Sequence, residues 1–129
     1  MAGFCPHDGR NFIVDLIANQ GLELGLFTNA TPDINLTAGT ITEPTGGGYA
    51  RQAIPYANFV TTGDDSVYNA TKTFTVTGTD YSAPVLGYFI TTVAAPKRLI
   101  QVTPDPALGS GVTFTVGSSY DIIPKLKVG

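Results

Sequence analysis

The side chains best suited to metal or nucleophilic chemistry lie together near the start of the chain. The one cysteine, Cys5, and the one histidine, His7, are separated by Pro6. A structural zinc site takes four ligands, and a Cys–His nucleophile needs a rigid frame around both side chains. No further cysteine or histidine is available, and we expect this segment to be an extended arm. The pair therefore favours neither a metal site nor a catalytic one.

The ten carboxylates offer a second route to catalysis, because a glycosidase needs two carboxyl groups that face one cleft. Most of them lie at turn signals, where Asp is favoured because its side chain bonds to the nearby backbone. Adjacent Asp64 and Asp65 lack the alternating spacing of a calcium loop. We expect no enzyme activity, no metal and no cofactor, with a small hydrolase as a minor alternative. The carboxylates are Asp8, Asp15, Glu23, Asp33, Glu43, Asp64, Asp65, Asp80, Asp105 and Asp121.

Three consecutive glycines, Gly46, Gly47 and Gly48, follow a Glu-Pro-Thr segment and precede an alternating run over residues 49–54. Each glycine loses more backbone freedom on folding than any other residue, so the run predicts a sharp bend or a close approach of two surfaces. It lacks the Lys-Ser/Thr of a phosphate loop and precedes a predicted strand rather than a helix. We expect a hinge-like loop that leads into the first long strand.

The charged residues Glu43 and Arg51 flank these glycines. They could pair across the loop or hold a neighbouring subunit. An exposed pair of this kind would contribute well under about 1 kcal/mol.

Composition limits the class of protein. The 129 residues suit one domain spanning residues 1–129, with residues 1–8 as an extended arm. Charged residues are only 13% of the chain, which suits a surface that packs against neighbouring proteins. A net charge of −3 with seven basic residues argues against nucleic-acid binding. The start of the chain does not resemble a secretory signal, and no apolar stretch is long enough to predict a membrane span.

The elements that position these residues are mostly strands. One helix is predicted over residues 8–20, with an apolar face of Phe12, Ile13, Leu16 and Ile17, flanked by Val14, and with Gly21 ending it. It would plug one end of the strand fold, or bind a partner. Alternation and β-branched residues predict the other elements. Strands are expected at residues 22–27, 49–54, 56–60, 73–77, 85–93, 98–102, 112–116 and 120–123, with a final extended segment through residue 128.

These strands are separated by turn signals, among them residues 61–66. Residues 28–40 read as a long surface loop with a short extended piece at 34–36, and such loops are often functional. Lys125 and Lys127 would protect an exposed strand edge. The pattern predicts an all-β, single-domain fold of about eight strands, of the β-sandwich or jelly-roll type, with one short N-terminal helix.

Several short segments of the chain occur in the same order as in one protein family, and together they span most of the chain. They are Leu-Gly-Leu-Phe-Thr-Asn at 24–29, Thr-Pro at 31–32, Thr-Glu-Pro-Thr-Gly-Gly-Gly-Tyr-Ala-Arg at 42–51, Gly-Tyr-Phe-Ile-Thr at 87–91, and residues 116–127 with Pro124-Lys125. The chain resembles the small structural proteins of tailed-bacteriophage virions. None of the segments is a catalytic motif.

The resemblance implies a structural component of the phage particle, associated with the head, and leaves open whether it decorates the capsid, caps a vertex or sits in the tail. The leading hypothesis is a capsid decoration, or cement, protein that binds the major capsid protein on the outside of the virion after synthesis in the bacterial cytoplasm. The resemblance also implies an oligomer, expected to be a homotrimer or homodimer. That there is no nucleic-acid or membrane partner is expected from the charge and the apolar pattern of the sequence instead. The alternative is a tail- or fibre-associated adhesin that binds host carbohydrate. The expected partner contacts are the arm, the 28–40 loop and the glycine segment. Their candidate residues are Phe4, Asp33, Glu43, Gly46, Gly47, Gly48 and Arg51.

Overall fold

The computed structural model describes residue 3 and residues 6–18, 20–62 and 65–127. In that part of the chain, one α-helix and nine β-strands confirm the all-β fold with a single short helix near the N-terminus. The elements are α1 (His7–Ala18), β1 (Leu22–Phe27), β2 (Gln52–Ala53), β3 (Phe59–Thr62), β4 (Asp65–Tyr68), β5 (Lys72–Thr75), β6 (Gly87–Thr92), β7 (Leu99–Pro104), β8 (Ser119–Ile122) and β9 (Lys125–Lys127). Two 3₁₀ turns, Tyr56–Asn58 and Pro106–Leu108, complete the set.

The strands form three antiparallel sheets. The four-stranded sheet has the order β2-β1-β6-β7, the three-stranded sheet the order β3-β4-β9, and β5 pairs with β8. β1 and β6 lie at the centre of the largest sheet and pair along six residues. The expectation that the strand around residue 90 is central is therefore confirmed.

One hydrophobic core joins all three sheets. The leucines of β1 are buried on one face of the four-stranded sheet, as their alternation predicts. They share a cluster with Tyr68 of β4, Phe74 of β5 and Leu126 of β9. Phe27, Ile41 and Phe89 form a smaller cluster. Because neighbouring side chains along a strand point to opposite faces, this second cluster lies on the other face of the sheet.

The helix is close to its predicted position, but the side chains that it buries are not the predicted ones. α1 begins at His7, where the carbonyl of Pro6 accepts the amide of Arg10 at 3.0 Å, so His7 and Asp8 belong to the helix rather than to an arm. Val14 is fully buried, whereas Phe12 and Leu16 are 67% and 51% exposed. The Thr61 hydroxyl donates to Asp15 at 2.6 Å, which holds that side of the helix against β3.

Gly21, with φ +76°, follows the helix in the left-handed conformation that the sequence predicts. Ile13 is exposed by 39%, and Ile17 packs partly against the core. Of the predicted apolar face only Ile17 packs against the core, and the prediction is wrong for the exposed Phe12, Ile13 and Leu16.

Several predicted strands are shorter than expected. The strand predicted over residues 49–54 shrinks to β2, because the amide of Tyr49 donates back to Gly46 and closes a turn. The segment 56–60 begins as a 3₁₀ turn before β3. Residues 112–116 make one isolated bridge, Val112 to Val85, and then bond singly to residues 80–81. In the turn predicted at 61–66, Thr61 pairs with Ser66 and Thr62 with Asp65, so β3 and β4 extend into it, and residues 63 and 64 lie outside the described residues.

The Lys125 and Lys127 prediction is confirmed in its geometry. β9 is an outer strand of its sheet, and both lysines are exposed while Leu126 between them is buried. Among the described residues, no helix combines the length and the apolar character that crossing a bilayer requires.

Candidate functional site

The predicted Glu43–Arg51 pair forms, and it is bidentate. The Nε and Nη2 atoms of Arg51 donate to the two carboxylate oxygens of Glu43, each at 2.9 Å. This parallel arrangement is the strongest that a guanidinium and a carboxylate can adopt. The side chains are only 20% and 25% exposed, so the pair is better shielded from water than the exposed pair considered above.

Arg51 also reaches a second carboxylate on the sheet. Its Nη1 atom donates to Glu23 of β1 at 2.8 Å and lies 3.3 Å from the Thr91 hydroxyl of β6. Lys97, in the β6–β7 connection, donates to the same Glu23 oxygen at 2.8 Å. The guanidinium lies 5.1 Å from the centre of the Phe89 ring. Two cations thus balance two anions on this face of the sheet.

Tyr49 connects the ion pair to the backbone of β1. Its hydroxyl donates to Glu43 at 2.7 Å and accepts the amide of Leu26 at 2.9 Å. β2 is too short to reach this amide, so the tyrosine oxygen takes the place of a strand carbonyl. The ring packs against Phe74 and Tyr81 at centroid distances of 5.8 Å. Tyr49 therefore links the core to the polar cluster.

We call Glu23, Glu43, Tyr49, Arg51, Thr91 and Lys97 the ion cluster. Burial opposes ionisation of Glu23, but hydrogen bonds from Lys97 and Arg51 outweigh it and lower its pKa. Burial also opposes ionisation of Glu43, and its bonds from Arg51 and Tyr49 lower its pKa as well. A general acid needs a raised pKa, so this pair of carboxylates has the electrostatics of a structural network rather than of a glycosidase.

The glycine segment makes the sharp bend and the close approach that the sequence predicts. Gly46, Gly47 and Gly48 have φ values of +74°, +59° and +71°. A Cβ at Gly47 would lie 2.6 Å from the Tyr81 ring. The Gly47 carbonyl accepts the amide of Thr77 at 2.9 Å, and its own amide donates to Thr79 at 3.0 Å. The segment is therefore bonded to residues 77–82, whereas the sequence suggested a hinge.

The loop over residues 28–42 is closed at its base and tied to the sheet. Thr28 and Thr42 bond through the backbone at 2.9 Å and through their hydroxyls at 2.8 Å. Ile41 packs on Phe27 and Phe89 of the second cluster, and Leu36 contacts it from the loop. The ion cluster fixes the segment that follows, at residues 43–51. The loop thus has a rigid attachment and an exposed outer side.

Asp33 lies on that outer side of the loop. Its carboxylate accepts the amide of Asn35 at 2.8 Å, and its carbonyl accepts the amide of Leu36 at 3.2 Å. Residues 34–36 therefore form a turn, and the short extended piece predicted there is wrong. The Asp side chain favours this turn because it replaces a backbone acceptor. The neighbouring Ile34 is 98% exposed.

The structure brings together some of the predicted contact residues. Glu43 and Arg51 join in the ion cluster beside the three glycines, Asp33 lies apart on the loop, and Phe4 lies outside the described residues. Gly47 is buried, while Gly46 and Gly48 are exposed. Whether these residues contact a partner stays a prediction.

Sequence reasoning missed four members of the ion cluster. Glu23 carried a usable signal, because it alternates with the leucines of β1 and so must point away from the main core. Tyr49 stood in the glycine segment but was expected to begin a strand. Thr91 and Lys97 join through the pairing of β1 with β6, which residue spacing does not reveal.

The described residues contain no group of three or more His, Cys, Asp or Glu side chains placed to hold a metal ion. Comparison with known proteins found no matching family model, no similar curated protein and no similar solved structure. The ion cluster and the exposed surfaces are therefore interpreted from their own geometry.

Proposed function

We propose that this chain is a bacteriophage virion structural protein that decorates the capsid and binds the major capsid protein. The observation that carries the proposal is the number of large apolar side chains turned outward. Seven of those described expose at least half of their surface, and Ile34 exposes 98%. They are Phe12, Leu16, Ile34, Val60, Val93, Val116 and Ile123. Phe12 and Leu16 lie one turn apart on α1, and adjoining exposed apolar side chains of this kind supply contact area to a protein neighbour.

The internal polar groups support the same interpretation. The ion cluster bonds its charges to one another, and both of its carboxylates have lowered pKa values. Its contacts connect β1, β6, the 43–51 segment and the β6–β7 connection. Such a network stiffens a surface that must keep its shape when a neighbour docks.

A carbohydrate-binding adhesin is less well supported. Sugar-stacking sites need exposed aromatic rings beside polar groups. Among the aromatic side chains that the structure describes, only Phe12 of α1 is exposed, and its helix neighbours Ile13 and Leu16 are apolar. Tyr68 and Tyr81 are buried, and the other described aromatic rings are at least partly buried.

The proposed mechanism is bridging. Each copy would contact several capsid subunits, so opening the shell would require many contacts to break together. The effective local concentration of the remaining contacts keeps a partly released copy in place. The low charge of the chain limits repulsion between neighbouring copies.

Binding to particles tests the proposal directly. A phage deleted for the gene would be compared with its parent by mass spectrometry of purified particles and by DNA release on heating. We expect stoichiometric copies on parental particles, earlier DNA release from the deleted particles, and restoration by added purified protein. Absence of the chain from particles, or equal heat resistance with and without it, would refute a decoration role.

Surface variants locate the contact. Phe12→Ser with Leu16→Ser removes two exposed side chains one turn apart on α1, while Val116→Ser removes an exposed side chain outside the helix. Val14→Ser serves as the folding comparison, because this residue is fully buried. If one of the two surface variants no longer restores heat resistance to the deleted particles, and its unfolding midpoint is unchanged, the substituted surface is the one that contacts the capsid.

A further inference from the structure

A shallow groove runs along one side of β7. β7 is the last strand of the four-stranded sheet, so among the described residues no strand pairs with its outer side. Three open cavities of about 160, 280 and 390 Å³ follow one another along it. The first two share Asp33 and Val102, and the last two share Leu36 and Leu99. The groove therefore lies between β7 and loop residues 32–39.

Backbone groups of β7 are available to this groove. The amide of Asp105 donates to Leu86 at 2.9 Å, and from that point β6 and β7 pair residue by residue as far as Ile90 and Gln101. In an antiparallel ladder the bonding direction alternates, so Thr103 and Gln101 bond toward β6. The amide and carbonyl of Val102 are consequently directed to the outer side, where an added strand would meet them.

The outer side of β7 lacks the charged protection found elsewhere in the molecule. β9 carries two exposed lysines on its three residues, whereas β7 has no charged side chain over Leu99–Pro104. Proteins usually block open strands with lysines, prolines or bulges. β7 has Pro104 at one end and one unpaired residue, Ile100, near the other, which limits the open part to a few residues.

Opposite charges mark the two ends of the groove. Lys97 and Arg98 line the cavity at the start of β7, and Asp33 lines the cavity at its end. Lys97 binds Glu23, but the Arg98 guanidinium has no ion pair among the described residues. An antiparallel copy of the same groove would place each basic end beside an acidic end. A parallel copy would oppose like charges.

We propose that this groove binds a second copy of the chain, with β7 of each copy pairing antiparallel about a two-fold axis between Ile100 and Gln101, which places Arg98 of each copy beside Asp33 of the other. Such an isologous contact is self-complementary, since each surface meets its own equivalent. Backbone bonds at Val102 would join the strands, as in other cases of strand addition. Ile34, which lines the groove and is 98% exposed, would cover apolar side chains of the partner copy.

The inference rests on the self-association expected under the proposed function, and of the two expected states it selects the dimer over the trimer. Its test uses the isolated protein. A monomer in solution would overturn the β7 contact while leaving capsid binding to be decided by the particle experiment.

Sedimentation velocity over a concentration series measures the association. We expect a dimer that forms reversibly below roughly 0.5 mM. Arg98→Glu and Ile34→Ser should each weaken it by about tenfold or more, because one introduces like charges and the other removes apolar cover. Lys127→Glu makes the same change in net charge on β9 and should leave the dimer unchanged.

Amide exchange measured by NMR gives a residue-level readout. The Val102 amide, which is directed away from β6, should gain protection as the concentration rises, while the Gln101 amide stays protected throughout. The proposal fails if the protein remains a monomer over this range, if both groove variants dimerise like the parent, or if Val102 exchanges equally fast at all concentrations.

Discussion

Arg51 holds together two carboxylates that would otherwise repel each other. Glu43 and Glu23 both bond to its guanidinium, and the three side chains are 16% to 25% exposed. Removing one member of a shielded network leaves the remaining charges without a partner, and this costs more than the pair itself contributes. The cluster should therefore be sensitive to loss of its arginine.

Arg51→Met keeps the length of the side chain and removes its charge. We expect the free energy of unfolding to fall by about 2–3 kcal/mol, measured by urea denaturation. Arg98→Met is the matched control at an exposed arginine with no ion pair among the described residues, and at a protein concentration where the chain is monomeric it should change the value by less than about 0.5 kcal/mol. Equal effects of the two substitutions would contradict a structural role for the cluster.

The ion cluster also predicts how stability depends on pH. The folded-state pKa values of Glu23 and Glu43 are lowered, so their contribution is complete above the unfolded value of about 4.3. It is lost as the pH falls through the lower, folded-state pKa values. Glu43→Gln should be less stable than the parent at about pH 6, and the gap should narrow toward about pH 3. Urea midpoints at both pH values test this, and a gap that stays constant contradicts it.

Position 25 requires glycine because the ring of Phe89 lies against it. A Cβ at this position of β1 would overlap that ring and lie 2.9 Å from the Tyr49 hydroxyl oxygen. Gly25→Ala should lower the free energy of unfolding by about 1–3 kcal/mol through overpacking. Gly39→Ala, on the exposed loop with its nearest neighbour atom 3.8 Å away, is the control, and equivalent urea curves for the two would count against this packing.

At the scale of elements, the glycine segment is a rigid turn, called the corner below. Its three left-handed residues turn the chain from the loop into Tyr49 and Arg51, and residues 77–82 hold the corner from the other side. This geometry places the side chains of Tyr49 and Arg51, which follow the glycines, in the ion cluster. A longer β2 would have paired with β1 instead and left no room for the Tyr49 hydroxyl at Leu26.

Two glycines separate the effect of backbone strain from the effect of close packing. Gly21→Ala introduces a side chain at φ +76° into open space, and should cost about 1–2 kcal/mol. Gly47→Ala at φ +59° also presses on the Tyr81 ring, and should cost about 1–3 kcal/mol more. Thermal unfolding of both variants measures the difference, and an equal loss would show that the corner can relax.

The local sequence pattern correctly predicted those strands whose burial in the folded protein follows the same alternation. The alternation of β5 and the lysines of β9 fit strands with one buried face, and these were confirmed. β1 was also confirmed as a strand with its leucines in the main core, although Gly25 and Phe27 on its other face are buried too. Residues 112–116 alternate in the same way, yet after one reciprocal bridge between Val112 and Val85 they bond only singly to residues 80–81, which no local pattern records. The exposed side of α1 was likewise missed, because burial there depends on where β3 lies.

The candidate site was predictable only in part. The charges beside the glycines drew attention to Glu43 and Arg51 because they flank a bend. Lys97 and Thr91 are more than forty residues away from Glu23 in sequence and join it through sheet pairing. The groove along β7 likewise depends on strand order, which the sequence alone did not fix.

At the scale of the whole molecule, the open sides of the sheets decide how copies meet. β9 carries Lys127 opposite Asp65, and its exposed lysines keep other strands from adding there. β7 lacks such protection. Under the proposal above, copies would associate at β7 and not at β9.

Lys127→Thr should open the protected side. We expect faster growth of light scattering on prolonged incubation, because a neutral strand can pair with other copies. Lys72→Thr makes the same substitution on β5 and should scatter less. If the two variants scatter alike, loss of charge alone explains the effect and the position on β9 has no special role.

The strand order also bears on synthesis. β4 receives β9 and β5 receives β8 from more than forty residues further along the chain. A nascent polypeptide that has emerged only as far as Pro106 lacks both partners, although β1, β6 and β7 are already present. During synthesis the four-stranded sheet can therefore form first, and the other two sheets can be completed only later. In the interval the apolar faces of β4 and β5 would be exposed to chaperones.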